Sequence, residues 1–231
     1  MTALSLNRLA AVIPAAGIGS RMRSELPKQY LSLHGRTILE HSAAALRQLH
    51  QDLPLVIALG AEDPYFASTS LVADPRVRTV VGGRERADSV LAALDALDPA
   101  QFDWVLVHDA ARPLLHATDL KRLFDCCQQA GYGGILAAPV RDTMKRGGPT
   151  IDHTVDRTRL WHALTPQLFP LLPLKQALRS ALVESIVVTD EASAMERAGQ
   201  SVLLVEGRSD NIKVTRPEDL ALAAFYLETQ Q

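Results

Sequence analysis

Short apolar runs alternate along the chain with longer stretches in which apolar residues recur at helical spacing. The runs predict strands at residues 9–16, 53–59, 77–81, 104–108 and 134–140. The stretches between them predict helices at residues 37–50, 86–97 and 118–130. Several runs are continuously apolar, which is typical of strands buried on both faces. This alternation predicts an α/β fold with a mostly parallel sheet flanked by helices.

The pattern changes after the fifth apolar run. Residues 141–159 contain no apolar run of core length and are rich in charged residues. A solvated loop is one interpretation of this segment. A projecting β-hairpin arm is equally supported, because residues 151–155 alternate and Gly147-Gly148-Pro149 would form a turn before them. An isolated hairpin is marginal in water, so such an arm would pack on a partner, for which a second copy of the chain is the economical candidate.

Helical spacing returns beyond the arm. Residues 171–183, 190–198 and 217–228 predict helices, and residues 202–205 predict a short strand. A length of 231 residues suits one domain. We therefore expect a single domain over residues 1–231, with residues 141–159 as a dimerisation arm.

Composition narrows the choice of partners. Twenty-four Lys and Arg residues against 26 Asp and Glu residues leave a formal net charge of −2, which provides no general field for a polyanion. We therefore expect no nucleic acid partner, although small anions need only a local basic cluster. The longest N-terminal apolar run, residues 9–16, is too short to span a membrane. Adjacent Cys126 and Cys127 disfavour a disulfide framework or a zinc site. These features indicate a cytoplasmic protein with no membrane partner.

The most informative motif follows the first strand, at the end where open α/β sheets bind ligands. It reads Pro14-Ala15-Ala16-Gly17-Ile18-Gly19-Ser20-Arg21-Met22, followed by Pro27-Lys28. The third glycine of a dinucleotide fingerprint would fall on Met22, and no Gly-Lys-Ser/Thr follows Gly17 as in a P-loop. What remains is a turn of small residues whose backbone N–H groups can approach phosphate, with Arg21 and Lys28 close behind.

Charged and polar motifs also follow the later strands. In chain order they are Gly82-Gly83-Arg84-Glu85-Arg86-Ala87-Asp88-Ser89, His108-Asp109-Ala110-Ala111-Arg112-Pro113, Arg141-Asp142-Thr143, Thr154-Val155-Asp156-Arg157, Leu164-Thr165-Pro166-Gln167, Thr189-Asp190-Glu191-Ala192-Ser193 and Asn211-Ile212-Lys213. Three of them have a simpler structural interpretation. The first fits an exposed helix start, Asp109 fits a helix cap, and Asp190 with Glu191 fits an acidic helix start better than a metal pair.

The spacing Ala-Ala-Gly-x-Gly-x-Arg-Met followed by Pro-Lys resembles the signature of the sugar and polyol phosphate nucleotidyltransferases. The later motifs narrow the resemblance to the 2-C-methyl-D-erythritol 4-phosphate cytidylyltransferases of the non-mevalonate isoprenoid pathway, over about residues 9–226. The resemblance implies a single Rossmann-like nucleotidyltransferase domain with an extended arm. It also implies a homodimer, CTP as donor, a polyol phosphate as acceptor, and a divalent cation, usually Mg²⁺.

Roles for individual residues follow from the same resemblance. Transfer to the acceptor phosphate needs positioning and positive charge more than a covalent nucleophile. The implied catalytic residues are Arg21, Lys28, Arg157 and Lys213. The implied nucleotide-binding residues are Pro14, Ala15, Ala16, Gly17, Gly19, Gly83, Arg84, Arg86, Ala87 and Ser89. The implied substrate-binding residues are Asp109, Arg112, Thr143, Arg157, Thr165, Thr189 and Lys213, of which Thr143 and Arg157 would be delivered by the arm.

Asp109 and Ser20 bear on how a metal ion and the triphosphate could be bound. Asp109 is the only candidate metal ligand, which fits a magnesium ion held mainly by phosphate oxygens and water. Ser20 occupies a position where some members of the family carry another basic residue, and its side chain brings no positive charge to the triphosphate.

Two other functions stay open at this stage. A cytidylyltransferase for another polyol phosphate, such as ribitol 5-phosphate, would share the donor chemistry and differ only in the acceptor pocket. A catalytically silent nucleotide-binding module could use the same fold. The joint presence of Arg21, Lys28, Arg157 and Lys213 argues against a silent module, which has no chemical need for all four.

Overall fold

The computed structural model describes residues 3–17, 22 and 26–229. The strands are β1 (Leu9–Pro14), β2 (Ser32–Leu33), β3 (Arg36–Thr37), β4 (Leu55–Leu59), β5 (Val77–Val81), β6 (Trp104–Val107), β7 (Gly134–Pro139), β8 (Met144–Gly147), β9 (Ile151–Val155), β10 (Trp161–Pro170) and β11 (Leu203–Glu206). The α-helices are α1 (Ile38–Arg47), α2 (Arg86–Asp95), α3 (Ala117–Ala130), α4 (Leu171–Val183), α5 (Glu191–Arg197) and α6 (Pro217–Thr229). Short 3₁₀ helices cover Leu6–Arg8, Lys28–Tyr30, Phe66–Ser68 and Ser70–Ala73.

Seven of the described strands form one sheet in the order β11-β7-β10-β6-β1-β4-β5. β1 pairs in parallel with both β4 and β6, β4 with β5, and β7 with β11. β10 pairs antiparallel with both of its neighbours, β6 and β7. The sheet is therefore mostly parallel, and the predicted α/β fold is confirmed.

Side chains of β1 show how the core is divided between the two faces of the sheet. Leu9, Ala11 and Ile13 join the cluster that packs under α1 and α3, whereas Ala10 and Val12 join the cluster under α2, α4 and α5. Successive residues of a strand point to opposite faces, so a strand covered on both sides needs apolar residues at every position. This explains the continuous apolar runs of the sequence.

β10 is the strand of the seven-stranded sheet that the hydrophobic pattern did not predict. Its first three residues are exposed and its next six are buried, and its pairing with β7 shifts register between Ala163 and Gln167. Pro166 lies within this irregular stretch, where a proline does not interrupt a regular ladder. The polar residues and the proline hide the strand from an analysis based on apolar runs.

The segment after β7 forms the predicted hairpin. β8 and β9 pair antiparallel as a separate two-stranded sheet. Residues 141–159 are exposed except for half-buried Val155, and Leu160 after them is half-buried as well. The hairpin therefore has no core of its own. The structure therefore supports the hairpin over the solvated loop.

The parallel strands place the motif segments together. β1, β5 and β6 end at the same edge of the sheet, where they lead into Ala15, Gly82 and His108 respectively. β1 lies between β4 and β6. The chain runs from β1 to β4 and β5 on one side and then crosses back to β6 on the other side, which creates the crevice expected at such a switch point. No helix within residues 3–17, 22 and 26–229 is both long and apolar enough to cross a membrane.

Candidate active site

The loop after β1 is held by a buried glutamine. Gln29 donates its side-chain N–H groups to the carbonyls of Ala15 at 2.7 Å and Gly17 at 3.1 Å. On the other side, the Ala15 N–H donates to the Ala58 carbonyl of the neighbouring strand. Lys28 precedes Gln29 in the same 3₁₀ turn, so fixing Gln29 also places the start of the Lys28 side chain. The predicted residues Gly19 and Arg21 lie outside the described residues, as does Ser20.

The turn between β5 and α2 approaches this loop closely. A Cβ atom on Gly82 would lie 2.6 Å from the Ala16 Cβ and 2.7 Å from the Ser89 hydroxyl oxygen. A Cβ on Gly83 would lie 2.2 Å from the Asp88 Cβ. The Ser89 hydroxyl accepts a hydrogen bond from the Gly83 N–H, which closes the turn. Glycine at position 82 lets the turn meet the loop, and glycine at position 83 lets the turn pack against the first turn of α2.

A first cavity lies between the loop and the turn, with about 570 Å³ of open space. It contains most of the predicted nucleotide-binding residues and two of the predicted catalytic lysines. Its walls are formed by Pro14, Ala15, Ala16, Gly17, Lys28, Gln29, Gly83, Arg84, Glu85, Arg86, Ser89, Asp109, Ala110, Ala111 and Lys213. Among the predicted nucleotide-binding residues that the structure describes, Ala87 is the exception, because its side chain is buried in the core beneath α2.

A cluster of charges closes the inner end of the first cavity. Asp109 accepts from Arg86 Nε at 2.9 Å through Oδ1, and its Oδ2 lies 2.8 Å from Lys213 Nζ. Arg112 Nε lies 3.7 Å from the same Oδ2. Glu191 binds the far side of Arg86 through both carboxylate oxygens, at 2.6 and 3.1 Å. Three cations against two carboxylates leave this cluster with one net positive charge, which suits an anionic ligand.

The charges set the protonation of the cluster. Burial alone would raise the pKa of Asp109, but Arg86, Lys213 and Arg112 together hold it well below the usual range. Burial opposes the charge on Arg86, but Glu191 and Asp109 raise its pKa further above the ordinary value. Burial lowers the pKa of Arg112, and Asp109 limits that shift. The carboxylate of Asp109 therefore stays ionised at physiological pH.

His108 orients the Thr165 hydroxyl, which lies beside Asp109. Its Nε2 lies 3.0 Å from the Arg112 carbonyl oxygen, which can only accept, so Nε2 carries the proton. Nδ1 then accepts from the Thr165 hydroxyl at 2.9 Å, and that hydroxyl accepts from the Asp109 N–H at 3.0 Å. Burial lowers the pKa of His108 to about 4, so the ring is neutral at physiological pH. The Thr165 hydroxyl is thus engaged by His108 on one side and by the Asp109 N–H on the other.

A second cavity adjoins the first on the side of β7 and β10. It is formed by Arg112, Ala138, Pro139, Arg141, Asp142, Trp161, His162, Ala163, Leu164, Ser209, Asn211, Ile212 and Lys213. Lys213 is the residue that the two sets of described lining residues share. Asn211 supports this junction, because it donates to the Thr165 carbonyl at 2.8 Å and its own carbonyl accepts from Arg112 at 2.6 Å.

Four predicted substrate-binding residues line neither cavity. Thr165 is buried beside Asp109, from whose N–H it accepts a hydrogen bond. Thr143 and Arg157 are exposed on the arm, and Thr189 is exposed just before α5. Within one copy of the described chain, therefore, the arm residues do not join the other predicted site residues.

Sequence reasoning missed four buried polar residues that shape the site: Gln29, Gln167, Glu191 and Asn211. Glu191 does begin a helix, and Asp190 caps it by accepting from the Ser193 N–H, as the acidic helix start predicts. Nothing local in the sequence indicates that the Glu191 side chain turns inward to Arg86, which is 105 positions away.

The donor set around Asp109 limits how a metal could bind. No group of three or more His, Cys, Asp or Glu residues is arranged to hold a metal ion in the described part of the chain. Both oxygens of Asp109 already contact cationic side chains. These residues fit a divalent cation that phosphate oxygens and water hold for the most part, with Asp109 as one protein ligand.

Comparisons with known proteins agree with this geometry. The family model described as IspD, 2-C-methyl-D-erythritol 4-phosphate cytidylyltransferase, matches residues 9–229. The 2-C-methyl-D-erythritol 4-phosphate cytidylyltransferase of Serratia proteamaculans (strain 568) is 60% identical over 221 residues, which are 94% of this chain and 93% of that protein. The protein of the same name from Yersinia pseudotuberculosis serotype O:1b (strain IP 31758) is 56% identical over 99% of this chain and 95% of its own.

Solved structures give the same result. A crystal structure of 4-diphosphocytidyl-2C-methyl-D-erythritol synthase superposes with a TM-score of 0.81 at 38% identity, covering 96% of this chain and 98% of that one. The Francisella tularensis 2-C-methyl-D-erythritol 4-phosphate cytidylyltransferase superposes with a TM-score of 0.80 at 32% identity, covering 94% and 99%. The resemblance found in the motifs is confirmed over nearly the whole chain. The chain therefore belongs to the 2-C-methyl-D-erythritol 4-phosphate cytidylyltransferase family.

Proposed function

We propose that this chain transfers a cytidylyl group from CTP to 2-C-methyl-D-erythritol 4-phosphate, giving 4-diphosphocytidyl-2-C-methyl-D-erythritol and pyrophosphate in isoprenoid precursor biosynthesis. Family membership supports the reaction. The observation that supports its location is that Lys213 lines both cavities. The first cavity would hold CTP and the second the polyol phosphate, so Lys213 would stand where the two phosphates meet. Because the reaction consumes CTP, we infer that the chain works in the cytoplasm.

The chemistry needs positive charge more than a base. An oxygen of the acceptor phosphate forms a bond to the α-phosphorus of CTP, and the bond from that phosphorus to the β-phosphate oxygen breaks. A phosphate monoester has a second pKa of about 6, so the attacking oxygen is already ionised at neutral pH. Lys28 and Lys213, with Arg21 by resemblance, would stabilise the charge that builds on the α-phosphoryl oxygens and the leaving group. Neutral, buried His108 has no proton-transfer role in this scheme.

Cytosine recognition would fall to the walls of the first cavity. The backbone from Pro14 to Gly17 and the turn carrying Gly83, Arg84 and Ser89 can offer donors and acceptors to the base edge. Arg86 already gives three of its N–H groups to Asp109 and Glu191. We therefore assign Arg86 to shaping the cavity and Ala87 to supporting the turn from behind.

A divalent cation would enter with the nucleotide. We infer that Asp109 would be the protein ligand of a Mg²⁺ ion held mainly by triphosphate oxygens and water, which would supply positive charge to the phosphates. Arg86 and Lys213 hold the Asp109 carboxylate in the orientation in which it would face the triphosphate.

The polyol phosphate would be held from two chains. Asp109, Arg112, Thr165, Thr189 and Lys213 would contribute from one copy. Thr143 and Arg157 would come from the arm of a second copy, since they stand exposed on a hairpin that has no core of its own and line neither cavity of their own chain. Thr165 is buried, so its contribution would be to hold Asp109 and His108 in place beside the polyol phosphate. We thus propose a homodimer joined through the arms.

Pyrophosphate release tests the proposal. With CTP, 2-C-methyl-D-erythritol 4-phosphate should support turnover, whereas ribitol 5-phosphate should support little. UTP should replace CTP poorly, because uracil reverses the donor and acceptor at position 4 and leaves groups of the site unpaired. Equal rates with ribitol 5-phosphate would indicate a different acceptor. An absence of release with every acceptor would indicate a silent nucleotide-binding module.

A further inference from the structure

Glu191 is a fully buried carboxylate beside the site. Its side chain is 1% exposed, and it lines neither of the two cavities. An ionised carboxylate removed from water costs several kcal/mol unless it is paired and hydrogen-bonded. Arg86 supplies that pairing with two N–H groups, one to each oxygen. A buried pair of this kind is weak evidence for stability alone, so its position calls for a functional explanation.

The start of α5 is anchored so that Glu191 has little freedom. Gln167, on β10, accepts from the Ala192 N–H at 2.9 Å and donates to Asp190 at 2.9 Å. Asp190 in turn accepts from the Ser193 N–H at 3.0 Å. The residues on both sides of Glu191 are therefore tied to the sheet or to the helix. The carboxylate of Glu191 is a fixed point for Arg86.

Arg86 links the Glu191 carboxylate to Asp109, which lines the first cavity. Two of its nitrogens bind Glu191, and the third, Nε, donates to Oδ1 of Asp109. A planar guanidinium held at both ends cannot rotate or slide without breaking one pair. Oδ2 of Asp109 is then left for Lys213, whose ammonium lies 2.8 Å away at the junction of the cavities.

We propose that Glu191 is a positioning residue for the transfer reaction, because its two-point pair with Arg86 fixes Asp109 and thereby the Lys213 ammonium where the cavities meet. This inference rests on the proposed function of the site. Without the Glu191 charge, Asp109 is the one carboxylate left among Arg86, Arg112 and Lys213 in the cluster. Arg86 is then free to bind both oxygens of Asp109 and displace Lys213, and the cluster gains a second net positive charge.

The first test removes the charge and keeps the shape. Glu191→Gln should lower kcat about tenfold, which corresponds to about 1.4 kcal/mol, while KM for CTP changes less than about twofold. The exposed Glu196→Gln on the same helix removes the same charge and should leave both constants unchanged. Wild-type protein is assayed in parallel. An inactive wild type would overturn the proposed function and this inference together, whereas an active wild type matched by Glu191→Gln would overturn only the inference.

A second pair of variants separates positioning from stability. Arg86→Gln leaves Glu191 buried and unpaired, so it should lower both the melting temperature and kcat. Adding Glu191→Gln removes that unpaired charge and should restore much of the melting temperature, while kcat stays as low as in Arg86→Gln. Recovery of kcat together with stability in the double variant would mean that the pair acts only by holding the fold, and would overturn the inference. This comparison also decides the matter if Glu191→Gln alone folds poorly.

Discussion

Asp109 illustrates how single residues of this site are tuned by their neighbours. Its side chain is 8% exposed, yet three cations within 3.7 Å keep it ionised. The same contacts occupy both of its oxygens. A carboxylate in this state holds basic groups in place and can offer at most a remaining lone pair to a metal. Its main effect is therefore on the geometry of Lys213 and Arg86.

Lys28 is the residue whose loss should affect chemistry most simply. Its side chain lines the first cavity, where it would meet the triphosphate. We expect Lys28→Ala to lose at least about 100-fold in turnover, the scale of one preorganised electrostatic donor, with little change in melting temperature. Steady-state pyrophosphate release and a thermal melt measure both quantities. Lys121→Ala, which removes an exposed lysine paired with Asp125 on α3, is the control. Near-normal turnover of Lys28→Ala would remove Lys28 from the mechanism.

Individual residues differ in how well the sequence predicts them. Lys28, Asp109 and Lys213 follow strands or motifs of recognisable spacing, and the structure brings them to one cavity. Gln29 and Glu191 act through partners that are distant along the chain or belong to the backbone of another segment. Such pairings are set by the folded topology, so local spacing carries no signal for them.

Among the elements, the turn after β5 packs so closely on the loop after β1 that a single methyl group should disturb nucleotide binding. Gly82→Ala places a methyl group 2.6 Å from the Ala16 Cβ, so the loop after β1 and the turn must separate. We expect KM for CTP to rise about tenfold, a loss of about 1.4 kcal/mol in binding, with the fold retained. Steady-state kinetics at saturating acceptor measures the change.

Gly60→Ala is the matched control for this prediction. Gly60 follows the neighbouring strand β4, and among the described residues a Cβ there would meet only the Ala16 carbonyl oxygen, at 3.8 Å. An ordinary contact of this kind should leave KM for CTP unchanged. If the two alanine variants behaved alike, the close approach of the turn to the loop would have no part in nucleotide binding.

The elements themselves were predictable where one physical pattern dominates. β1, β4, β6 and β7 are buried along their length and read as continuous apolar runs, so they were predicted to within a few residues. β5, at the edge of the sheet, is more exposed and was predicted from its valines. β10 escaped prediction because Pro166 and buried polar Gln167 interrupt the apolar pattern. Gln167 is buried because it bonds to the start of α5, a partner that only the fold supplies.

For the whole molecule, the exposed arm is the feature that bears on how copies of the chain assemble. β8 and β9 expose Met144 and Ile151, with 36% and 65% of these residues open to solvent in a single copy. Thr143 and Arg157 are exposed beside them. A hairpin this polar and unsupported gains stability by packing on another surface. A crossed arm would complete the polyol phosphate site of a second copy.

Mixing two inactive variants tests the crossed arm. If each site takes Lys28 from one chain and Arg157 from the other, then Lys28→Ala and Arg157→Ala homodimers should both be nearly inactive. A heterodimer of the two contains one site with both residues intact and one site lacking both. Subunit exchange should therefore restore about a quarter of wild-type activity in an equal mixture, because half of the dimers are then mixed.

Native mass spectrometry of the same mixture provides the control, because it counts heterodimers directly. Heterodimers without any recovery of activity would mean that each arm serves its own chain. In that case every site in the mixture lacks one of the two residues, and the hairpin is an ordinary part of its own subunit.

In the proposed reaction, an oxygen of the acceptor phosphate attacks the α-phosphorus of CTP where the two cavities meet. The most direct measurement is mass spectrometry of the products after reaction of CTP with 2-C-methyl-D-erythritol 4-phosphate carrying ¹⁸O in its non-ester phosphate oxygens. We predict that all of the label appears in 4-diphosphocytidyl-2-C-methyl-D-erythritol and none in pyrophosphate, because the acceptor keeps its oxygens while CTP loses its β- and γ-phosphates. Label in pyrophosphate, or no cytidylyl product from this acceptor, would contradict the account.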